Sequence, residues 1–262
     1  MKVKDRWYSD RLGREIDVVR WGTMGVPILI FPTAGGDAEE IERFLVIDTL
    51  APFLEAGRIK VYSCDSIAGR AMLAGEGTPA DRMRLMDRFL DFIGHELVPA
   101  IRTDCASADI DIVACGSSIG AFNALATICR FPQDFSHALC MSGTYDLERF
   151  LKAPITEDFW ISSPVHYLPE LEGPRLDALR TRFVLLASGE GKAEDIGESW
   201  RAAKLLGSRG IPNRVDSWGV DWPHDWPTWR NMLHRYVDEL APAPGHADGG
   251  TSPADSPRSA GA

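Results

Sequence analysis

The stretch Asp109-Ile110-Asp111-Ile112-Val113-Ala114-Cys115-Gly116-Ser117-Ser118-Ile119-Gly120-Ala121-Phe122 limits the fold of this chain more than any other. An apolar run of strand type ends in Gly116-Ser117-Ser118-Ile119-Gly120, and a helical pattern follows at once from Ala121 to Cys129. This is G-x-S-x-G in the setting strand, sharp turn, helix. Such a turn is tight and strained, so small residues must flank the serine and let helix and strand approach. It lifts the Ser118 hydroxyl clear of a sheet. It also points the Ile119 N–H toward the place where a tetrahedral oxyanion would form. The pentapeptide alone occurs by chance in many chains; the strand before it and the helix after it carry the weight. Ser117 is the wrong serine for the motif and reads as structural.

The rest of the chain repeats the strand-then-helix alternation. Residues 4–21 alternate polar and apolar around a turn at Asp10 to Gly13, which predicts an antiparallel hairpin. Val26 to Phe31 is a continuous apolar run, as for a strand buried on both faces. It empties into Pro32-Thr33-Ala34-Gly35-Gly36-Asp37. Glycines directly after a central strand let backbone N–H groups approach a ligand, so Ala34 is the candidate second oxyanion donor, with Thr33 or Gly35 next. Thr33 and Gly35 are also candidates to touch a substrate. The pattern then predicts a helix over Glu39 to Glu55, disturbed near its end by Pro52, and a strand at Ile59 to Cys64. Asp65 to Pro79 reads as a loop bordering the site, and Asp81 to Ile101 as one long helix. Further strands are expected at Phe135 to Gly143, Arg182 to Ser188 and Asn213 to Trp218. Helices are expected at Glu198 to Gly207 and Thr228 to Leu240, and Thr144 to Leu171 reads as irregular, a partial cap. This order predicts a mostly parallel sheet with helices on both faces, in one domain over 1–240. Residues 241–262 are Ala, Pro, Gly, Ser and Asp without apolar periodicity, and are expected to be a disordered tail.

A formal net charge of −10 argues against nucleic acid or an anionic membrane surface as partner. Met1 to Arg6 lacks the apolar core of a signal peptide, and no apolar run approaches the length of a membrane span. The five cysteines, Cys64, Cys105, Cys115, Cys129 and Cys140, have no metal-ligand spacing. No metal site is expected, and a reduced, cytoplasmic protein is the natural reading. A homo-oligomer is compatible with this composition.

A serine hydroxyl needs a base to take its proton. Of six histidines, His224 follows a predicted strand end in a loop just before the closing helix. His137 lies in a strand, His95 and His234 in helices and His246 in the tail; His166, in the irregular segment, is the rival. The acid that orients the histidine should follow the strand ending at Ser188. Glu190, Glu194 and Asp195 all qualify, and Asp146 is a rarer placement. Trp222 and Trp226 flank His224 and are candidates to line an acyl or aryl pocket, although such rings more often simply pack a loop.

Five segments together resemble a known family. Phe31 to Gly36, Gly116 to Gly120, Met141-Ser142-Gly143-Thr144-Tyr145-Asp146, Ser163-Pro164-Val165-His166-Tyr167-Leu168-Pro169 and His224-Asp225-Trp226-Pro227-Thr228-Trp229 are similar to the esterase D family of α/β-hydrolases. That group includes S-formylglutathione hydrolases, feruloyl esterases and mycolyltransferases of the antigen 85 type. The resemblance covers roughly 5–240. It implies an α/β-hydrolase fold without a large lid, a Ser-acid-His triad and no cofactor. The mycolyltransferases carry a glutamate several residues into a loop that opens Gly-x-Gly. Gly189-Glu190-Gly191-Lys192-Ala193-Glu194 is similar, which favours Glu194 as acid. The aspartate of S-formylglutathione hydrolases keeps Asp195 open. The chain lacks the cysteine-rich and glycine-rich surroundings typical of the latter group. The function implied is a serine esterase acting on a small-molecule carboxylic ester through an acyl-enzyme, with an acyltransferase or a non-catalytic binding protein as alternatives. Nothing marks the amine or carboxyl-terminus pocket of a peptidase.

Overall fold

Continuous apolar runs along the middle strands, buried on both faces, set the architecture. The computed structural model describes residues 1–151 and 154–241, apart from the side chains of 149 and 150. Of the tail expected over residues 241–262, residues 242–262 lie outside the described residues. Eight strands form one sheet: β1 (Lys2–Ser9), β2 (Arg14–Trp21), β3 (Val26–Phe31), β4 (Ile59–Cys64), β5 (Ile112–Ser117), β6 (Phe135–Met141), β7 (Phe183–Gly189) and β8 (Asn213–Gly219). Their spatial order is β1-β2-β4-β3-β5-β6-β7-β8. The first two form the expected hairpin, β2 runs antiparallel to β4, and every pair from β4 to β8 is parallel. The helices are α1 (Glu40–Arg43), α2 (Val46–Glu55), α3 (Ile67–Ala74), α4 (Pro79–Phe92), α5 (Val98–Asp104), α6 (Ile119–Arg130), α7 (Glu148–Leu151), α8 (Glu157–Ser162), α9 (Pro164–Tyr167), α10 (Pro174–Leu179), α11 (Ile196–Ser208) and α12 (Trp226–Leu240).

Successive strand residues point to opposite faces. Ile28, Ile30, Val113, Cys115, Leu139, Met141, Leu185 and Ala187 therefore join one buried cluster, with Leu50 of α2 and Met232, Leu233 and Tyr236 of α12. Leu29, Phe31, Ala114, Ala138, Cys140 and Leu186 join the other, with Phe89 and Leu90 of α4, Phe122 of α6 and Leu206 of α11. Both faces of the sheet are covered, as parallel sheets require. Because β4 and β5 lie on opposite sides of β3, the chain reverses its winding direction between β3 and β5. The loops after those two strands diverge and leave a crevice at their carboxyl ends.

Four expectations are corrected. The helix expected over Glu39 to Glu55 is two helices, because Leu45 adopts φ 62° and interrupts the ladder; Phe44 and Leu45 are left exposed there. Asp65 to Pro79 is not all loop: it holds α3, whose Ile67, Ala68, Gly69 and Ala71 are buried. Its small residues signal close packing, since a Cβ at Gly69 would lie 3.0 Å from the Ala34 backbone. The long helix starts at Pro79, capped by Thr78, passes through a π-helical segment at Ile93–Leu97 and continues to Asp104. Thr144 to Leu171 contains α7, α8 and α9, with α8 packed on α4 and α9 on α6.

Candidate active site

The elbow after β5 is built by two glycines. A Cβ at Gly116 would lie 2.3 Å from the Gly120 carbonyl, and one at Gly120 would lie 2.6 Å from the Phe31 carbonyl oxygen. Ser118 between them has φ 58° and ψ −122°. That conformation costs a non-glycine residue on the order of 1–3 kcal/mol and persists only where its surroundings enforce it. Here the Ser118 N–H donates to the Met141 carbonyl at 3.0 Å and the Ser118 carbonyl accepts from the Ala121 N–H at 3.1 Å. Ile119 is the first residue of α6, so its N–H has no acceptor within that helix. It stands at the positive end of the helix dipole.

Across the crevice, the loop after β3 is shaped by a buried carboxylate. Glu40 accepts from the Thr33 N–H and from the Thr33 hydroxyl, both at 2.7 Å. Burial raises the Glu40 pKa above the ordinary value, partly offset by those two bonds. The Gly36 N–H closes a turn onto the Thr33 carbonyl at 3.1 Å. Ala34 and Gly35 form the tip; Ala34 is half-buried and Gly35 exposed. Asp65 braces this loop from behind, accepting from the Ala38 N–H at 3.3 Å and the Asp17 N–H at 3.1 Å.

Farther along the same carboxyl-terminal end of the parallel strands, the loops after β7 and β8 run against each other. The Glu190 N–H donates to Gly219, the Gly191 N–H to Trp222 and the His224 N–H to Lys192, at 2.9, 3.1 and 3.0 Å. The approach is so close that a Cβ at Gly189 would sit 1.9 Å from the Trp222 carbonyl oxygen, and one at Gly191 2.8 Å from it. That is the physical reason for Gly-x-Gly. Ala193, at φ 66°, then turns the chain and sends Glu194 inward. The Glu194 side chain is 1% exposed, and its Oε2 lies 3.4 Å from His224 Nδ1. It also accepts from the Ser142 hydroxyl and, at 3.4 Å, from Ser188 Oγ. A carboxylate can only accept, so this contact requires the proton on Nδ1 and leaves the Nε2 lone pair free. The edge of Trp229 meets the His224 ring at 5.0 Å between centroids.

The rival acids are engaged elsewhere. Glu190 accepts from the Ser217 hydroxyl. Asp195 caps α11 through the Gly197 N–H at 3.0 Å and pairs with Arg201. Asp146 accepts from the Glu148 N–H at 3.0 Å. His166 is bonded to Ser163 through Nδ1 at 2.8 Å and lies 3.8 Å from Glu148. Asp146, Glu148 and His166 bring potential metal-ligand atoms within 4.8 Å of one another, yet two of the three are already held by these local bonds.

Trp226 is not in a loop. It opens α12 and stacks on Phe44 at 4.5 Å, because Asp225 caps the helix so that it starts two residues earlier than the pattern suggested. Trp222 is half-buried, edge-on to Trp218 at 4.8 Å. The Thr33 hydroxyl is taken by Glu40. Sequence reasoning missed Ser142, Glu40 and Trp229. Ser142 stood in a quoted motif at a strand end, which was a usable signal; nothing in the sequence separates Glu40 from its acidic neighbours.

The sequence profile of a family described as "Putative esterase" matches residues 57–240. The chain belongs to this family. The esterase is thus a carboxylic ester hydrolase with the α/β-hydrolase fold. Among curated protein sequences none matches it. Solved structures share its fold at low identity. A ferulic acid esterase superposes with a TM-score of 0.71 at 16% identity, covering 92% of this chain and 98% of that one. The fluorophosphonate-binding serine hydrolase F of Staphylococcus aureus gives 0.66 at 10%, covering 93% and 99%. MPT51 of Mycobacterium tuberculosis gives 0.64 at 17%, covering 90% and 98%. Among the described residues no helix is long and apolar enough to cross a membrane.

Proposed function

We propose that the esterase cleaves a small-molecule carboxylic ester with Ser118 as nucleophile, His224 as base and Glu194 as the acid that orients it. The Glu194–His224 contact, on the same edge of the sheet as the strained Ser118, carries this reading. Ser118 Oγ attacks the carbonyl carbon while His224 Nε2 takes its proton. The carbonyl oxygen becomes an oxyanion held by the N–H groups of Ile119 and Ala34, each such donor being worth about 10²–10³ in rate. The intermediate collapses, the C–O bond to the alcohol breaks, and His224 returns the proton to the leaving oxygen. Water, activated by His224, then releases the acid from Ser118. Gly35 and Trp222 lie on the loops that would border the bound ester, and Trp226 opens the helix that follows one of them. All five thiols are free, which supports a reducing compartment such as the cytoplasm.

The test is chemical. A fluorophosphonate probe should label Ser118, and Ser118→Ala should lose both labelling and hydrolysis of p-nitrophenyl acetate while keeping the wild-type Tm. Hydrolysis by Ser118→Ala at the wild-type rate refutes the assignment.

A further inference from the structure

Ser142 occupies a backbone conformation that serine disfavours. Its φ is 48°, where glycine is at ease and an L side chain is strained. It is 3% exposed, and its N–H donates to the Ala187 carbonyl at 2.8 Å. A glycine would make that backbone bond equally well, and the next residue, Gly143, is one. What glycine lacks is the hydroxyl, and that hydroxyl donates to Glu194 Oε1. One residue earlier, the Met141 carbonyl accepts the Ser118 N–H at 3.0 Å. The end of β6 therefore holds the nucleophile turn through residue 141 and the acid through residue 142.

Resting on the triad proposed above, we infer that Ser142 is a positioning residue for ester hydrolysis. Its O–H fixes Glu194 so that Oε2 is presented to His224 Nδ1, and it shares the carboxylate charge while His224 is neutral. The surrounding carboxylates have other partners. From the same loop, Glu190 engages Ser217 and Asp195 engages Gly197 and Arg201, while Lys192 offers its carbonyl to His224. From α11, Glu198 accepts from the N–H groups of Tyr145 and Asp146 and pairs with Arg201. Beside His224, Asp225 caps α12 through Thr228. Removing the Ser142 hydroxyl leaves the carboxylate less stabilised, so the Glu194–His224 pair takes up a proton more readily. Activity needs His224 unprotonated, so the acid limb of the rate profile must move to higher pH.

Ser142→Gly separates this role from a structural one. Relief of backbone strain predicts a Tm equal to or above wild type. Loss of a hydrogen bond to a charged group predicts kcat about 10- to 100-fold lower, with KM for p-nitrophenyl acetate little changed. The acid limb should rise by about one pH unit. In a Glu194→Gln background Ser142→Gly should cost nothing further, because the two act through one contact. If Ser142→Gly does not fold, the acid limb and the double-mutant comparison are read on Ser142→Ala. Retention of wild-type kcat and pH profile, or losses that simply add to those of Glu194→Gln, overturns the inference. With Ser118→Ala inactive, that outcome removes the role of Ser142 alone; with Ser118→Ala active, the triad and this inference fall together.

Discussion

Replacing Glu194 by Gln changes one carboxylate oxygen to an amide NH₂ and leaves volume almost unaltered. The side chain is 1% exposed and faces His224 Nδ1, Ser142 Oγ and Ser188 Oγ. Two amide orientations bracket the outcome. If the NH₂ faces His224, it donates to Nδ1, and the ring proton moves to Nε2. The base is then blocked and the imidazolium unsupported, a loss of roughly ten-thousandfold in kcat, as in the serine-protease template. If the amide oxygen faces His224, the tautomer is kept and only the charge on the acceptor is lost. A hydrogen bond to a charged group contributes about 1.5–3 kcal/mol, so the loss is then on the order of 10- to 100-fold. Glu194→Gln should therefore lower kcat for p-nitrophenyl acetate by between one and four orders of magnitude. Glu190→Gln and Asp195→Asn, whose partners are Ser217 and Gly197, should stay within about threefold. Steady-state kinetics at pH 8, with Tm measured on each variant, makes the comparison. Near-normal kcat in Glu194→Gln, alongside collapse in another acid variant, refutes the reasoning.

Gly120→Ala places a methyl 2.6 Å from the Phe31 carbonyl oxygen and 2.9 Å from that of Pro32, so the loop after β3 must move; a cost of about 1–3 kcal/mol is expected, seen as a Tm several degrees lower together with lost hydrolysis. An unchanged Tm and kcat would show that the elbow does not press on that loop. Burial is the dominant influence on Glu40 and raises its pKa, so the folded state holds this proton to higher pH than the unfolded chain. Its contribution is fully present below the ordinary glutamate value and is lost as pH rises through the elevated one. Glu40→Gln removes that loss, so urea unfolding should show the variant gaining on the wild type between pH 4 and pH 8; a constant difference across that range counts against it.

Much of the molecule follows from short-range rules. Apolar runs mark the strands from β3 to β7, and Gly116 marks the elbow, because the atoms its Cβ would strike belong to residue 120, four along. His224 is marked by its place between the last strand and the last helix. Other features depend on contacts between segments far apart in the chain. The small residues of α3 read as a loop until the helix is seen against Ala34. Glu190, Glu194 and Asp195 are chemically near-equivalent and share one loop. Only the bonds from the Gly191 N–H to Trp222 and from the His224 N–H to Lys192, with the left-handed turn at Ala193, direct Glu194 toward the histidine. Local patterning therefore determined the strands, the serine turn and the order of the elements. Tertiary structure decided which carboxylate meets His224 and that Ser142 meets that carboxylate, because side-chain direction in a loop is set by the backbone packed against it.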